Sequence, residues 1–169
     1  MKARKVGIEL ELLVLDENYE LSNESDKLIY LSEKNGLDVI PECSHNMVEF
    51  RSKPGTVFEV MSDTYEGLTE LNELAKKEGL YLLPLEMPLN QELIEPSLRD
   101  HQRYKDKMRL LGEKRFSISG KVLGFHAHYD LEDDFEKRIK QVNFLTLMDP
   151  LAIALTASSP HVNKEGERF

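Results

Sequence analysis

The segment Val6–Leu15 constrains the fold of this chain more than any other part of its sequence. It reads VGIELELLVL, and aliphatic residues occupy alternate positions from Val6 to Leu12, which is the period of a β-strand with one face in a core. Glu9 and Glu11 therefore share the opposite face, because residues two apart in a strand point the same way. Two carboxylates about 4 Å apart repel by roughly 4 kcal/mol at an effective dielectric constant of about 20. A divalent cation would offset this repulsion on a covered face, whereas solvent would do so on an exposed one.

The remainder of the chain mixes helices and strands without the regular alternation of a parallel α/β protein. Further strands are predicted at residues 37–40, 47–51, 80–85, 117–119 and 122–130. Helices are predicted at residues 25–34, 56–79, 98–111 and 135–148, with Pro150 breaking or restarting the last of them. We therefore predict one α+β domain over residues 1–169, whole or truncated, with a mainly antiparallel sheet.

The predicted helix that follows Thr56 has two local signals. Glu59 stands three residues after Thr56, which is the spacing of a capping box. Apolar residues then recur at helical spacing, which predicts that one face is buried. This face comprises Phe58, Met61, Tyr65, Leu68, Leu71 and Ala75.

Composition limits the classes of protein to which the chain can belong. Its 169 residues are 40% hydrophobic, which suits a folded core, and its net charge of −9 argues against a nucleic-acid-binding scaffold. Cys43 is the single cysteine, so no internal disulfide can form and a reducing compartment is expected. The acidic first strand does not suit a signal peptide, and no apolar run is long enough for a membrane span. These features predict a cytoplasmic protein that contacts neither membranes nor nucleic acid.

Two more glutamates flank the connection between the next two predicted strands. Glu42 follows Pro41 at the end of one strand, and Glu49 lies inside the other. Because Val48 and Phe50 are the neighbours of Glu49, its carboxylate faces away from the aliphatic side of the sheet. Both acids suit either a solvated surface or a cation site on the polar face.

A pair of histidines occurs in the segment GFHAHYD, which begins at Gly124. His126 and His128 project from the same face of the predicted strand. Neutral imidazole can ligate a metal or contact a phosphate or a carboxylate. Considered alone, the pair fits a surface or hydrogen-bonded role equally well.

The remaining polar residues give weaker indications. The segment Ser158-Ser159-Pro160 predicts a turn, and Arg168 lies one residue from the end of the sequence. The cysteine has no neighbouring base in the sequence and does not indicate a nucleophile. A charged, solvated helix face is predicted for Arg99, His101 and Arg103.

Taken in order, these motifs resemble the bacterial carboxylate–amine ligase branch of the glutamate–cysteine ligases, which shares a catalytic fold with glutamine synthetase. The resemblance rests on VGIELE in the first strand, Pro41-Glu42 with Glu49-Phe50 seven residues later, GFHAH, and SSP with the following Arg168. It extends from the first strand to the end of the sequence. It implies a curved, mainly antiparallel sheet around the active site, with helices packed on the outer face.

The resemblance also implies an activity and a set of ligands. Members of the family use ATP to convert a carboxylate into an acyl phosphate, which an amine then attacks. One Mg²⁺ or Mn²⁺ ion would be held by Glu11, Glu42 and Glu49. A second ion would involve Glu9 and His126. His128 would approach the phosphates of ATP, and Arg168 would meet the substrate carboxylate or the transferred phosphoryl group.

The same resemblance leaves alternatives open. Family members continue beyond this length and supply a further metal-binding glutamate and much of the nucleotide pocket. We therefore expect either part of a ligase for small amino-acid substrates, or a chain completed by a homo-oligomer or a partner chain. The alternatives are a non-catalytic metal- or ligand-binding module and a guanidino kinase on the same broad fold, which would need arginine clusters around its nucleotide.

Overall fold

The computed structural model describes residues 4–84 and 97–156. The predicted turn at residues 158–160 and Arg168 lie outside the described residues. The strands are β1 (Val6–Leu15), β2 (Val39–Pro41), β3 (Met47–Arg51), β4 (Tyr81–Leu83) and β5 (Phe125–Tyr129). The helices are α1 (Ser25–Lys34), α2 (Val57–Lys77), α3 (Gln102–Leu111), α4 (Glu113–Ser119) and α5 (Phe135–Thr156).

Strand β1 is the centre of a five-stranded antiparallel sheet. Strand β3 pairs with one edge of β1, and β2 pairs with the other edge of β3. The second edge of β1 is shared, since β5 pairs with its N-terminal half and β4 with its C-terminal half. All four pairings are antiparallel, which confirms the predicted α+β class with an antiparallel sheet.

Helices α1 and α2 cover the aliphatic face of the sheet. Leu12 and Val14 of β1 lie in this core, as the alternation along β1 predicts. The other buried members of the core are Leu28, Val39, Val48, Phe50, Leu71, Ala75 and Leu80. Burial of these side chains stabilises the layered arrangement by roughly 1.5–3 kcal/mol for each large aliphatic or aromatic residue.

The buried face of α2 differs from the one predicted by apolar spacing. The capping box is present, with the Glu59 backbone N–H donating to Thr56 Oγ1. The residues buried along α2 are Val60, Gly67, Leu71 and Ala75, whereas Phe58, Met61 and Tyr65 are exposed. The helix lies against the sheet at Gly67, where an added Cβ would be 2.5 Å from the Phe50 ring. Because Gly67 has no side chain, α2 approaches the sheet closely there, and this contact sets the rotation of the helix. The buried face predicted from apolar spacing is therefore wrong in the first half of α2.

Gly67→Ala should destabilise the chain despite the higher helix propensity of alanine. The ring of Phe50 is only 2% exposed and has little room to move, so the added methyl group overpacks the core. Overpacking costs about 1–3 kcal/mol, which exceeds the gain in helix propensity of at most about 1 kcal/mol. We expect a net loss of about 1–2 kcal/mol in urea denaturation. Glu70→Ala, at an exposed position of α2, is the control and should change stability by less than about 0.5 kcal/mol. Equal stability of Gly67→Ala and wild type would contradict this packing.

A second, smaller core lies on the opposite face of the sheet. Leu13 of β1 and Met47 of β3 are completely buried there. The remaining buried members are Cys43, Tyr104, Phe116 and Leu123, which come from the loops and from α3 and α4. Glu9 and Glu11 precede Leu13 on the same face by strand parity, so the acidic residues lie beside this core.

Residues 113–119 form helix α4, so the strand predicted at residues 117–119 is wrong. The alternation in Phe116-Ser117-Ile118-Ser119 is too short to distinguish a strand from one face of a helix. Helical geometry places Phe116 fully inside the second core, and its backbone N–H donates to the Gly112 carbonyl. Helix α3 begins at Gln102 instead of residue 98, so Arg99 is not part of a helix.

Helix α5 is the part of the described chain with the largest exposed apolar surface. It continues through Pro150, and none of its residues is buried. Its exposed large hydrophobic residues are Phe135, Ile139, Val142, Phe144, Leu147, Met148, Leu151, Ile153 and Leu155. An open groove of about 700 Å³ separates α5 from Phe125, Ala127 and Tyr129 of β5. No helix among residues 4–84 and 97–156 is long and apolar enough to span a membrane.

Candidate metal and phosphate site

The registers of β1, β3 and β5 bring the polar residues of three strands to one face. Glu11 of β1 is directly opposite Glu49 of β3. Glu9 is opposite His126 of β5 on the other edge of β1. His128 lies two residues further along β5, on the same face as His126. Three separate segments of the sequence therefore supply one polar surface.

Glu42 reaches this surface from the connection between β2 and β3. Its own loop holds the side chain, because the Cys43 backbone N–H donates to Glu42 Oε2 over 2.9 Å. One carboxylate oxygen from each of Glu11, Glu42 and Glu49 lies within 4.8 Å of the other two. This spacing lets a single small cation contact all three residues.

A second group of potential ligands shares Glu49 with the first. One ligand atom from each of Glu9, Glu49 and His126 also falls within 4.8 Å of the other two. Glu9 Oε2 lies 3.5 Å from His126 Nδ1 and 2.9 Å from His128 Nε2. The two imidazoles thus flank one carboxylate, and the two groups meet at Glu49.

Glu49 is the most electrostatically perturbed carboxyl group of this surface. The residue is only 6% exposed. Burial, followed by the nearby carboxylates of Glu9, Glu42 and Glu11, raises the pKa of Glu49 to about 7. Both causes act in the same direction because each disfavours a negative charge at this position. A cation at the site would reverse this effect, since it would favour the ionised carboxylate.

Glu11 has a partner that the sequence did not reveal. The Gly124 backbone N–H donates to Glu11 Oε2 over 2.6 Å. Burial raises the pKa of Glu11, and this hydrogen bond partly opposes the increase by favouring the ionised form. A Cβ at Gly124 would lie 2.7 Å from His126 Nε2, so a side chain there would displace the imidazole. The only sequence signal was a glycine two residues before the first histidine.

Cys43 is adjacent to the site but has a structural environment. Its thiol is buried and donates to the Ser119 carbonyl over 3.2 Å. Burial and then the Glu42 carboxylate raise the pKa of Cys43 to about 11. The nucleophilic thiolate is therefore rare at neutral pH, which agrees with the absence of a sequence signal for a cysteine nucleophile.

The arrangement suits binding of a hard divalent cation better than proton transfer or covalent catalysis. It offers mainly carboxylate oxygens, with one imidazole in the second group, and these ligands match Mg²⁺ and Mn²⁺. The structure brings together Glu9, Glu11, Glu42, Glu49 and His126, and it places His128 at their edge. The roles of these six residues and of Arg168 stay predictions.

The arrangement of the sheet and its helices has a counterpart among solved structures. The fold resembles the crystal structure of a bifunctional glutathione synthetase from Pasteurella multocida, with a TM-score of 0.57 and 16% sequence identity. The similarity covers 96% of this chain and 24% of that protein, so the chain spans about a quarter of the length of this structural relative. No curated protein matches the chain.

The particular family follows from the sequence as a whole. The model of glutamate-cysteine ligase family 2 matches residues 5–169, so the chain belongs to this family.

Proposed function

We propose that this chain is the metal-binding part of an ATP-dependent carboxylate–amine ligase of the glutamate–cysteine ligase type. The observation that carries the proposal is the pair of ligand groups that share the buried Glu49. Membership of glutamate-cysteine ligase family 2 supports the same chemistry. The expected substrates are small amino acids, and the expected location is the cytoplasm.

The residues of the two groups fit divalent cations on physical grounds. Glu11, Glu42 and Glu49 would hold one Mg²⁺ or Mn²⁺ ion. Glu9 and His126 would contribute to a second. When bound, cations of this kind would neutralise the charge of the phosphates. The raised pKa of Glu49 supports this assignment, because four crowded carboxyl groups are costly to ionise without a cation.

Two basic residues complete the proposed site. His128 contacts Glu9, and its exposed imidazole is free to approach the phosphates of ATP at the edge of the acidic surface. Arg168 is proposed to bind the substrate carboxylate or the transferred phosphoryl group, as the family resemblance implies. Phosphoryl transfer depends on positioning and charge neutralisation more than on a protein nucleophile, which is consistent with the inert Cys43 thiol.

In the proposed reaction, the carboxylate of one amino acid attacks the γ-phosphorus of ATP and ADP leaves. The resulting acyl phosphate is attacked by the amine of the second substrate. An amide bond forms, inorganic phosphate departs, and the amine loses its proton. The chain's own carboxylates would contribute by holding the cations, which would supply charge neutralisation.

A second proposal concerns the need for more polypeptide to complete the site. The exposed apolar face of α5 and the groove beside β5 resemble a core that lacks one layer. Strand β5 pairs only with β1 among the described strands, which leaves its other edge available for a further strand. Since the structural relative is about four times longer than the matched region, we propose that further polypeptide, or a partner chain, covers this surface.

The isolated 169-residue chain should therefore show little or no ligase activity. The experiment is a coupled assay of ADP release with ATP, Mg²⁺ or Mn²⁺, glutamate and a panel of amines, with sedimentation to establish the oligomeric state. Loss of positioning groups reduces rates by orders of magnitude even when other ligands remain.

Three outcomes of this assay separate the alternatives. Rapid amide formation by a verified monomer would show that no further polypeptide is needed. Activity confined to an oligomer would support a neighbouring chain as the missing layer. ADP release with a guanidino acceptor, and no amide product, would favour the guanidino kinase and contradict the ligase.

A further inference from the structure

Residues 42–46 connect β2 to β3 and form the Glu42 loop. This loop lies between the sheet on one side and residues 97–99 on the other. On the sheet side, the Val14 backbone N–H donates to the Asn46 carbonyl over 2.9 Å. On the other side, Ser44 and Leu98 form an antiparallel bridge. The Glu42 loop is therefore the middle segment of a short, irregular extension of the sheet, between β1 and residues 97–99.

Residues 97–99 bind this loop through backbone hydrogen bonds at both ends of the bridge. The His45 N–H donates to the Ser97 carbonyl over 2.7 Å, and the Arg99 N–H donates to the Cys43 carbonyl over 2.9 Å. Leu98 packs against the second core next to the same loop. These contacts fix the backbone of the residues that directly follow Glu42. The Glu42 side chain depends on that backbone, because its carboxylate accepts from the Cys43 N–H.

The side chain of Arg99 connects the same segment to the start of helix α1. Its Nη1 donates to Asp26 Oδ1 over 2.5 Å, and its Nη2 donates to Ser25 Oγ over 2.7 Å. The Arg99 side chain is only 13% exposed, and Ser25 is fully buried. His45 Nδ1 lies 3.3 Å from the second Asp26 oxygen, so Asp26 contacts both Arg99 and the Glu42 loop.

Stabilisation of α1 does not explain why the Arg99 guanidinium lies at the start of this helix. A cation near the first turn of a helix is opposed by the helix macrodipole, which favours negative charge there. Asp26 offsets that cost locally, but an acid at this position would suit the helix without any arginine. What Arg99 adds is a link of two hydrogen bonds, one to Ser25 and one to Asp26, between α1 and the segment that binds the Glu42 loop.

We propose that Arg99 is a positioning residue that holds Glu42 in place for cation binding. The inference rests on the proposed function, because it assumes that the group of Glu11, Glu42 and Glu49 binds a divalent cation. Loops are the least rigid parts of a fold, and Glu42 is the only member of this group that lies outside a strand. Replacing a residue that orients a metal ligand without touching the metal typically lowers metal affinity by about 10–100-fold.

The test is a double-mutant cycle in which the Mn²⁺ affinity of the full chain is measured. The electron paramagnetic resonance signal of free Mn²⁺ reports how much of the ion is bound. Arg99→Gln should weaken binding about tenfold. Glu42→Gln should weaken it at least as much. If Arg99 acts through Glu42, then adding Arg99→Gln to Glu42→Gln should cause no further loss. A purely structural effect would instead lower affinity by the same factor in both backgrounds.

Two control variants separate positioning from stability. Leu74→Ala removes a side chain that packs against the first core and makes no hydrogen bond to the Glu42 loop, so it should lower the thermal midpoint without changing Mn²⁺ affinity. Asp26→Asn removes the negative charge that pairs with the Arg99 guanidinium and leaves a weaker, neutral acceptor, so it should reproduce part of the loss; it also serves if Arg99→Gln does not fold.

The outcomes distinguish this inference from the function on which it rests. Normal Mn²⁺ binding by wild type, with unchanged affinity in Arg99→Gln and Asp26→Asn, would overturn the positioning role alone. Equal losses in the presence and absence of Glu42 would overturn it as well. Failure of the wild-type chain to bind Mn²⁺ would overturn the proposed function and the inference together.

Discussion

Saturating Mn²⁺ should raise the thermal midpoint of wild-type protein by about 5–10 °C and leave that of Glu49→Gln almost unchanged. A ligand that binds only the native state stabilises it by about 2.7 kcal/mol when its free concentration is about 100 times its Kd. For a chain of this size each kcal/mol corresponds to about 2–4 °C. Glu49 belongs to both ligand groups, so its replacement should affect both cations.

Glu49→Gln is nearly isosteric, so the variant should keep its structure. Failure of Mn²⁺ to raise its thermal midpoint would therefore not reflect a general loss of structure. Thermal melts followed by circular dichroism, with Mn²⁺ and with a chelator, provide the measurement. Glu70→Gln is the matched control, because it removes an exposed carboxylate from α2 and should retain the full response to Mn²⁺. An unchanged wild-type midpoint in millimolar Mn²⁺ would contradict a cation site on this surface.

In the absence of metal, the stability of wild type should fall as the pH rises from about 4.5 to about 8. The pKa of Glu49 is near 7 in the folded chain against 4.5 for the ordinary side chain, so the native state binds the proton more tightly than the unfolded state. The contribution is complete below the unfolded pKa and is lost as the pH rises through the folded pKa. A difference of this size corresponds to about 3 kcal/mol.

Glu49→Gln should remove most of this pH dependence, because the amide does not titrate. Urea denaturation in a chelator should give similar stabilities for the two proteins near pH 4.5 and a variant more stable by about 3 kcal/mol at pH 8. Comparison of the two proteins isolates Glu49 from Glu11, whose pKa is also raised, chiefly by burial. A stability difference that is the same at both pH values would be inconsistent with a titrating Glu49.

These two results would together describe a site that lowers stability in order to bind its ligand. The carboxylate that most destabilises the metal-free protein at pH 8 is the one that belongs to both candidate ligand groups. Such conflicts between stability and function are common at binding sites. Mn²⁺ binding should consequently release protons below about pH 7, when Glu49 is still partly protonated.

The alternation in the sequence was sufficient to predict the faces of the central strands. Leu12 and Leu13 enter different cores, and Glu11 and Glu49 point away from the aliphatic face, as a period of two requires. The capping box at Thr56 is equally local, since all its atoms lie within four residues. Membership of the family was also recognisable from the order of several short motifs.

Other features depended on approaches between distant segments. Gly67 set the rotation of α2 through its contact with Phe50, which a pattern that counts only large apolar residues cannot anticipate. The burial of Phe116 required a helix where the alternation suggested a strand. Arg99 was predicted to be a solvated charge, but pairing of residues 97–99 with the Glu42 loop made it a nearly buried link to α1.

The sequence by itself determined which residue types share a face, because strand parity and helix capping are properties of a few consecutive residues. It determined neither the separations of at most 4.8 Å between the ligand atoms of each group nor the burial that raises the pKa of Glu49 to about 7. Those quantities were decided by the antiparallel registers that place β3 and β5 on opposite edges of β1. Electrostatic interaction depends on distance and on exclusion of water, and both exist only after strands from residues 6 to 129 have come together.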